Sequence, residues 1–253
     1  MKTALALVFI WPLMLTDSTR VSDRLIVWNV GQGSWATYIK DGLCIHFDSG
    51  GDRRPNLELL KYCKSHQHYL SHLDWDHISY LRILKRLGVC RVGSPAEPLR
   101  KKKQLSYMRI QECEGELKHV TEIKTPTRFK KANDRSRIFI LNNWALIPGD
   151  STKRAEKVWS GKLPSGIKVL LLGHHGSNTS TWNILLENLP DLKLAIASAR
   201  NRKYGHPHPN VLQRLQAYGI ASIRTENWGN LVLETQIPKI KIHTRRKNIN
   251  GQH

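Results

Sequence analysis

His72-Leu73-Asp74-Trp75-Asp76-His77 places four metal-binding side chains within six positions, in the order His-x-Asp-x-Asp-His. The string follows the β-prone His68-Tyr69-Leu70 and precedes an apolar period at Ile78, Leu81, Leu84 and Leu87, so it is expected on a strand-to-helix loop. Imidazoles and carboxylates are ligands for divalent cations, and burying this many of them unpaired would be costly. The segment is therefore read as a metal loop.

Working outward, the chain upstream opens as a β-meander. Leu25–Val30 reads as a buried strand broken by Gly31-Gln32-Gly33, and Ala36–Ile39 with Leu43–Phe47 flank the hairpin signal Asp41-Gly42. Asp48-Ser49-Gly50-Gly51 closes that hairpin, and Asn56–Lys64 has helical spacing. Downstream a helix runs to about Arg86 with Gly88 as its stop, followed by a short strand Val89–Val92. From Val120 a second β-rich half begins, with strands Arg137–Asn142 and Trp144–Ile147 meeting at an Asn142-Asn143 turn and ending at Pro148-Gly149-Asp150. Strands Lys168–Leu172, Lys193–Ala197 and Ser222–Thr225 then alternate with helices around Ala155–Trp159, Thr181–Asn188 and Asn210–Tyr218. Meanders plus βα units fit two packed sheets with helices outside, an α/β class.

The length of 253 residues suits one large domain. Forty Lys and Arg against 20 acidic residues give a formal charge of +20, concentrated in Arg100–Lys103, in Arg128–Lys131 with Arg135 and Arg137, and in Arg200–Lys203. Such a field attracts polyanions in a salt-dependent way. Residues 1–20 carry an apolar run shaped like the core of a signal peptide, but Pro12–Asp17 offers no small-x-small cleavage site, so an N-terminal anchor stays open. Residues 24–237 are expected to form the domain and 238–253 a basic disordered tail. Cys44, Cys63, Cys90 and Cys113 have no Cys-x-x-Cys spacing and read as core residues; export would permit disulfides, whose pairing the spacing does not give.

Candidate ligands recur at later strand ends: Asp150, then Gly173-His174-His175-Gly176-Ser177, then Tyr204-Gly205-His206-Pro207-His208-Pro209. Taken alone, Asp150 also suits a helix N-cap, and the His-Pro-His-Pro segment suits a turn before a helix. In order and spacing these pieces, together with Asn29-Val30-Gly31-Gln32-Gly33 and Asp48-Ser49-Gly50-Gly51, resemble the metallo-β-lactamase fold, and within it the soluble nuclease-type domain of the ComEC/Rec2 competence proteins, over about residues 25–233.

The resemblance implies a four-layered αββα fold and a metal-dependent hydrolase that cleaves DNA phosphodiesters during DNA uptake. It implies two divalent metal ions, manganese or zinc with magnesium also compatible, held by His72 and Asp74 on one side and Asp76 and His77 on the other, with Asp150 bridging. One of His174 and His175 would complete the second metal and the other would protonate a leaving group, the assignment staying open; with Asp76 they form the expected catalytic set. His206, Arg202, Lys203 and Ser177 are the candidates for substrate contact. It also implies an exported protein, periplasmic, secreted or anchored at the outer face of the inner membrane, served by a separate membrane channel protein. Asp74 stands where the commoner form of the motif has histidine, which makes the site richer in oxygen and favours manganese or magnesium over zinc. Asn29 and Ser34 depart from the family pattern. Two rivals share the motifs: a small-ester hydrolase of the same fold, which the charge disfavours, and a DNA-binding module without catalysis.

Overall fold

A computed structural model describes residues 23–95, 102–115, 117–236 and 239–244. Five strands open the chain: β1 (Arg24–Val27), β2 (Ala36–Lys40), β3 (Leu43–Phe47), β4 (Ser65–Tyr69) and β5 (Cys90–Arg91). Six follow: β6 (Val120–Ile123), β7 (Ile138–Leu141), β8 (Ala145–Ile147), β9 (Val169–Leu171), β10 (Leu194–Ala197) and β11 (Ala221–Arg224). The last described strands are β12 (Leu231–Gln236) and β13 (Lys239–Thr244). They form two mixed sheets, ordered β13-β12-β1-β2-β3-β4-β5 and β11-β10-β9-β8-β7-β6.

Period-two alternation decides which residues lie in which layer. Leu25, Val27, Ile45 and Phe47 of the first sheet meet Phe139, Ile147, Leu171 and Ile196 of the second between the sheets. The intervening Ile26, Trp28 and Cys44 turn outward onto Ile78, Leu81, Leu84 and Tyr107. On the far side Ile138, Ile140, Leu146 and Leu170 pack under Trp159, Leu185 and Leu215. The order is helix, sheet, sheet, helix, as the resemblance implies. Strands β4, β8, β9 and β10 each run parallel to a neighbour, and their carboxyl ends share one rim, where layered α/β folds place their ligands.

Several expectations change. The expected disordered tail begins with an edge strand instead: β13 pairs antiparallel with β12 from Leu231↔Thr244 to Gln236↔Lys239. The expected leader and residues 245–253 lie outside the described residues. The four cysteines form two disulfides, Cys44–Cys63 and Cys90–Cys113. Arg137 is buried rather than part of a surface cluster: it donates to Glu122 at 2.9 and 2.7 Å and to the Leu70 and Val92 carbonyls. The helix expected after the metal loop is split into Trp75–Ile78 and Leu81–Arg86. Asn142 and Asn143 do form the tight turn, both with positive φ. No helix among the described residues is long and apolar enough to cross a membrane.

Glu156, in the helix Lys153–Trp159, fixes the loop behind the site by accepting from Thr181 N at 2.6 Å and Trp182 N at 3.0 Å. Burial pushes its carboxyl up from 4.5 to about 7, against the pull of those two N–H groups and of Arg214 and Lys153. With the folded value above the unfolded one, its contribution to stability is complete below about pH 4.5 and is lost as pH rises through about 7. Urea unfolding should therefore show the protein losing on the order of 2–3 kcal/mol between about pH 5 and about pH 8 relative to Glu156→Gln. A difference between the two proteins that stays flat with pH would contradict this.

Candidate metal centre

The loop after β4 does not hang free: its backbone is stitched to two neighbouring turns. Ser34 N donates to Asp76 O at 2.9 Å, Ser49 N to His77 O at 2.7 Å, and Tyr80 N to Ser49 O at 2.7 Å. Gly50 lies so close that a Cβ there would stand 2.3 Å from Asp76 C and 2.4 Å from His77 N, which explains the glycine after Asp48-Ser49. Ser34, a departure from the family pattern, acts here through its backbone, so the change of side chain leaves the stitch intact.

Asp48 is fully buried and aims the loop's last ligand. It accepts from Ser71 N at 2.7 Å and from Ser71 Oγ at 3.0 Å, and its Oδ2 lies 2.7 Å from His77 Nδ1. Holding Nδ1 this way turns His77 Nε2 toward Asp150 Oδ1, 3.0 Å away. His175 is aimed in the same manner: the Ser198 carbonyl at the end of β10 takes Nδ1 at 3.1 Å, and Nε2 reaches Asp76 Oδ2 at 3.1 Å and Asp150 Oδ1 at 3.7 Å. Ligand atoms of Asp76, His77, Asp150 and His175 all lie within 4.8 Å of one another.

A second group shares the other oxygen of the same carboxylate. His72 Nε2 is 3.8 Å from Asp150 Oδ2 and 3.5 Å from Asp74 Oδ2, and His174 Nε2 is 3.6 Å from Asp150 Oδ2. His72 is oriented from behind by Ser71 Oγ, 3.0 Å from its Nδ1. Both histidines after β9 adopt left-handed backbone, His174 at φ 49° and His175 at φ 56°, and this sends the two adjacent rings to opposite oxygens of Asp150.

The electrostatics follow from this crowding. Burial disfavours charge on Asp150, yet His77 and His175 beside it hold its carboxyl well below the usual range. Burial likewise opposes a charged His77, and Asp150 and Asp48 outweigh it and hold the imidazole well above its ordinary value. His72 Nε2 is buried without a hydrogen-bond partner, and the buried His77 Nε2 and Asp150 Oδ1 have only each other, at 3.0 Å. Buried polar atoms are normally satisfied. Buried imidazole nitrogens and a carboxylate crowded together in this way are the donor set of a divalent cation, so the residues fit a metal.

No family model matches the chain. Among solved structures it is similar to the metallo-β-lactamase fold protein YhfI from Bacillus subtilis, with a TM-score of 0.50 and 13% identity over 80% of this chain and 96% of that one. Among curated proteins it is similar to ComE operon protein 3 of Bacillus subtilis, 30% identical over 188 residues covering 64% of this chain and 24% of the relative. Recombination protein 2 of Haemophilus influenzae is 28% identical over 92% of this chain and 32% of its own length. Competence protein ComA of Neisseria gonorrhoeae is 27% identical over 81% and 31% respectively. The chain has the metallo-β-lactamase fold and is similar to these competence and recombination proteins. It spans about a quarter to a third of the length of these curated relatives.

The structure brings His72, Asp74, Asp76, His77, Asp150, His174 and His175 together. It also divides the histidine pair that the sequence left open: His175 joins Asp76 and His77, while His174 lies on the side of His72 and Asp74. His206 is adjacent, its ring 6.2 Å from that of His174 and its Nδ1 3.3 Å from Gln32 Nε2. Ser177 is a hydroxyl neighbour of Thr179, at 3.0 Å, not a lining residue of the ligand cluster. Arg202 and Lys203 are exposed on the short helix Asn201–Tyr204, with Lys203 Nζ 5.0 Å from the Tyr204 ring centre. His208 caps the helix Pro209–Ala217 by accepting from Asn210 N at 3.1 Å.

Sequence reasoning missed Asp48 and Gln32 as individual actors, although both stood in quoted motifs. Asn133, 3.4 Å from His174 Nε2, and Thr179, 3.0 Å from His174 Nδ1, carried no signal because tertiary proximity alone brings them there. Replacing Asp48 by Asn tests the aiming role. An amide can donate to His77 Nδ1, which moves the proton to Nε2 and removes that atom as a ligand. Calorimetric titration with manganese should show affinity weakened by about 10- to 100-fold; unchanged affinity would refute the role.

Proposed function

We propose that the chain is a metal-dependent nuclease that hydrolyses DNA phosphodiesters during DNA uptake. The observation that carries the reading is the convergence of four histidine nitrogens on the two oxygens of Asp150. His72 and Asp74, and Asp76, His77 and His175, would hold two divalent cations, with manganese favoured by the oxygen-rich first group. Bound cations supply charge neutralisation for the phosphodiester and an acidified water as nucleophile.

The chain's own residues do the rest. Asp48 and the Ser198 carbonyl keep His77 and His175 turned inward, so the site needs no rearrangement to bind. His174, less buried than its neighbour, is the proton donor for the leaving oxygen: as an imidazolium it donates Nδ1–H to Thr179 Oγ1 and presents its Nε2 proton to the site. Burial lowers its pKa, against the pull of Asp150 beside it. The charge of +20 suits a polyanionic substrate and weighs against a small neutral ester. The relatives' names, a competence protein and a recombination protein, support DNA as that substrate. Two disulfides support an exported location, where thiols are oxidised, with a separate membrane channel as the route onward for DNA.

Purified protein with manganese should degrade labelled single-stranded DNA, and Asp76→Ala should not. Equal activity in both, or turnover of small esters and not of DNA, would overturn the reading.

A further inference from the structure

A groove of about 500 Å³ lies beside the metal centre, in the helix and loop layer outside the second sheet, and four cationic side chains line it: Lys131, Lys153, Arg154 and Lys157. Its one carboxylate, Asp134, is buried and already accepts a hydrogen bond from Thr152. The groove shares Thr179 with the site, where that hydroxyl meets His174 Nδ1, and Asp134 follows Asn133, which meets His174 Nε2. It is thus continuous with the proton donor's pocket.

The floor is held rigid from below. Glu156 takes the Thr181 and Trp182 N–H groups, and Arg214 donates to the Thr181 and Ser180 carbonyls. Lys153 Nζ sits 3.4 Å from the Trp182 ring centre, with the Arg214 guanidinium at 4.7 Å, so one groove ammonium is fixed over an aromatic face instead of sweeping through solvent. A cation held in place before binding costs little to organise on binding. Its volume falls in the range of small-ligand clefts, about 300–1,000 Å³, which is room for individual nucleotides.

We infer that this groove is the track for single-stranded polynucleotide, with Lys131, Lys153, Arg154 and Lys157 holding phosphates that flank the one in the metal centre. The inference rests on the nuclease reading for its choice of polymer, and its test is independent of cleavage.

The test measures anisotropy of a fluorescent oligothymidylate with the full chain in EDTA, across a range of potassium chloride. The variant Lys131→Gln/Arg154→Gln/Lys157→Gln is compared with Arg82→Gln/Lys85→Gln/Arg86→Gln, which removes the same charge from a helix over the first sheet. Each lost phosphate contact reduces the slope of log affinity against log salt by about 0.7, so the groove variant should be shallower by about 2 and weaker by about a hundredfold near 0.1 M salt. The control should change less than about threefold. Matching unfolding midpoints confirm that both variants fold. Equal losses in the two variants, or an unchanged slope in the groove variant, would overturn the inference. A protein that binds as expected but never cuts DNA would instead count against the nuclease reading alone.

Discussion

Asp150→Asn should lower metal-dependent DNA cleavage by at least about a thousandfold, equivalent to roughly 4 kcal/mol of transition-state stabilisation. The size follows from geometry. One oxygen of this carboxylate faces His77 and His175 at 3.0 and 3.7 Å, and the other faces His72 and His174 at 3.8 and 3.6 Å. Among the described carboxylates of the cluster, it is the one that faces histidines of both groups. An amide keeps the shape, but it removes the charge that balances the cations and puts a donor where a ligand stood. The variant should fold and lose bound manganese together with activity. Retained cleavage at even a tenth of the parent rate would mean that the two groups do not share this residue.

Gly50→Ala should destabilise the protein by about 3 kcal/mol or more and weaken the metal site as well. Overpacking costs about 1–3 kcal/mol when side chains can yield. Here the added methyl would meet backbone atoms of Asp76 and His77 at 2.3–2.4 Å, and those atoms are pinned by hydrogen bonds to Ser34 and Ser49. Relief requires the ligand pair to move. Chemical denaturation and manganese titration on the same preparation check both effects. A variant with normal stability and normal affinity would show that the loops are not clamped together.

Much of the site was legible in the sequence because metal ligands must be particular residue types, and the strand-to-loop pattern places them. His72, Asp74, Asp76, His77 and Asp150 were readable for that reason. The division of His174 from His175 was not, since two consecutive non-glycine residues with positive φ leave no mark in composition. Disulfide pairing was invisible because it depends on β3 lying beside the chain around Cys63, a tertiary fact. Arg137 looked like part of a basic run, and only the fold shows Glu122 and two carbonyls closing around it. The edge strand β13 had a signal, the alternation Lys239-Ile240-Lys241-Ile242, that the basic character of the tail masked.

The central claim is a two-cation centre bridged by Asp150. Anomalous X-ray scattering from crystals grown with manganese tests it most directly. The expected result is two peaks flanking Asp150, one against His72 and Asp74 and the other against Asp76, His77 and His175. A map with no peak at Asp150, or with a single peak elsewhere on the molecule, would contradict the account.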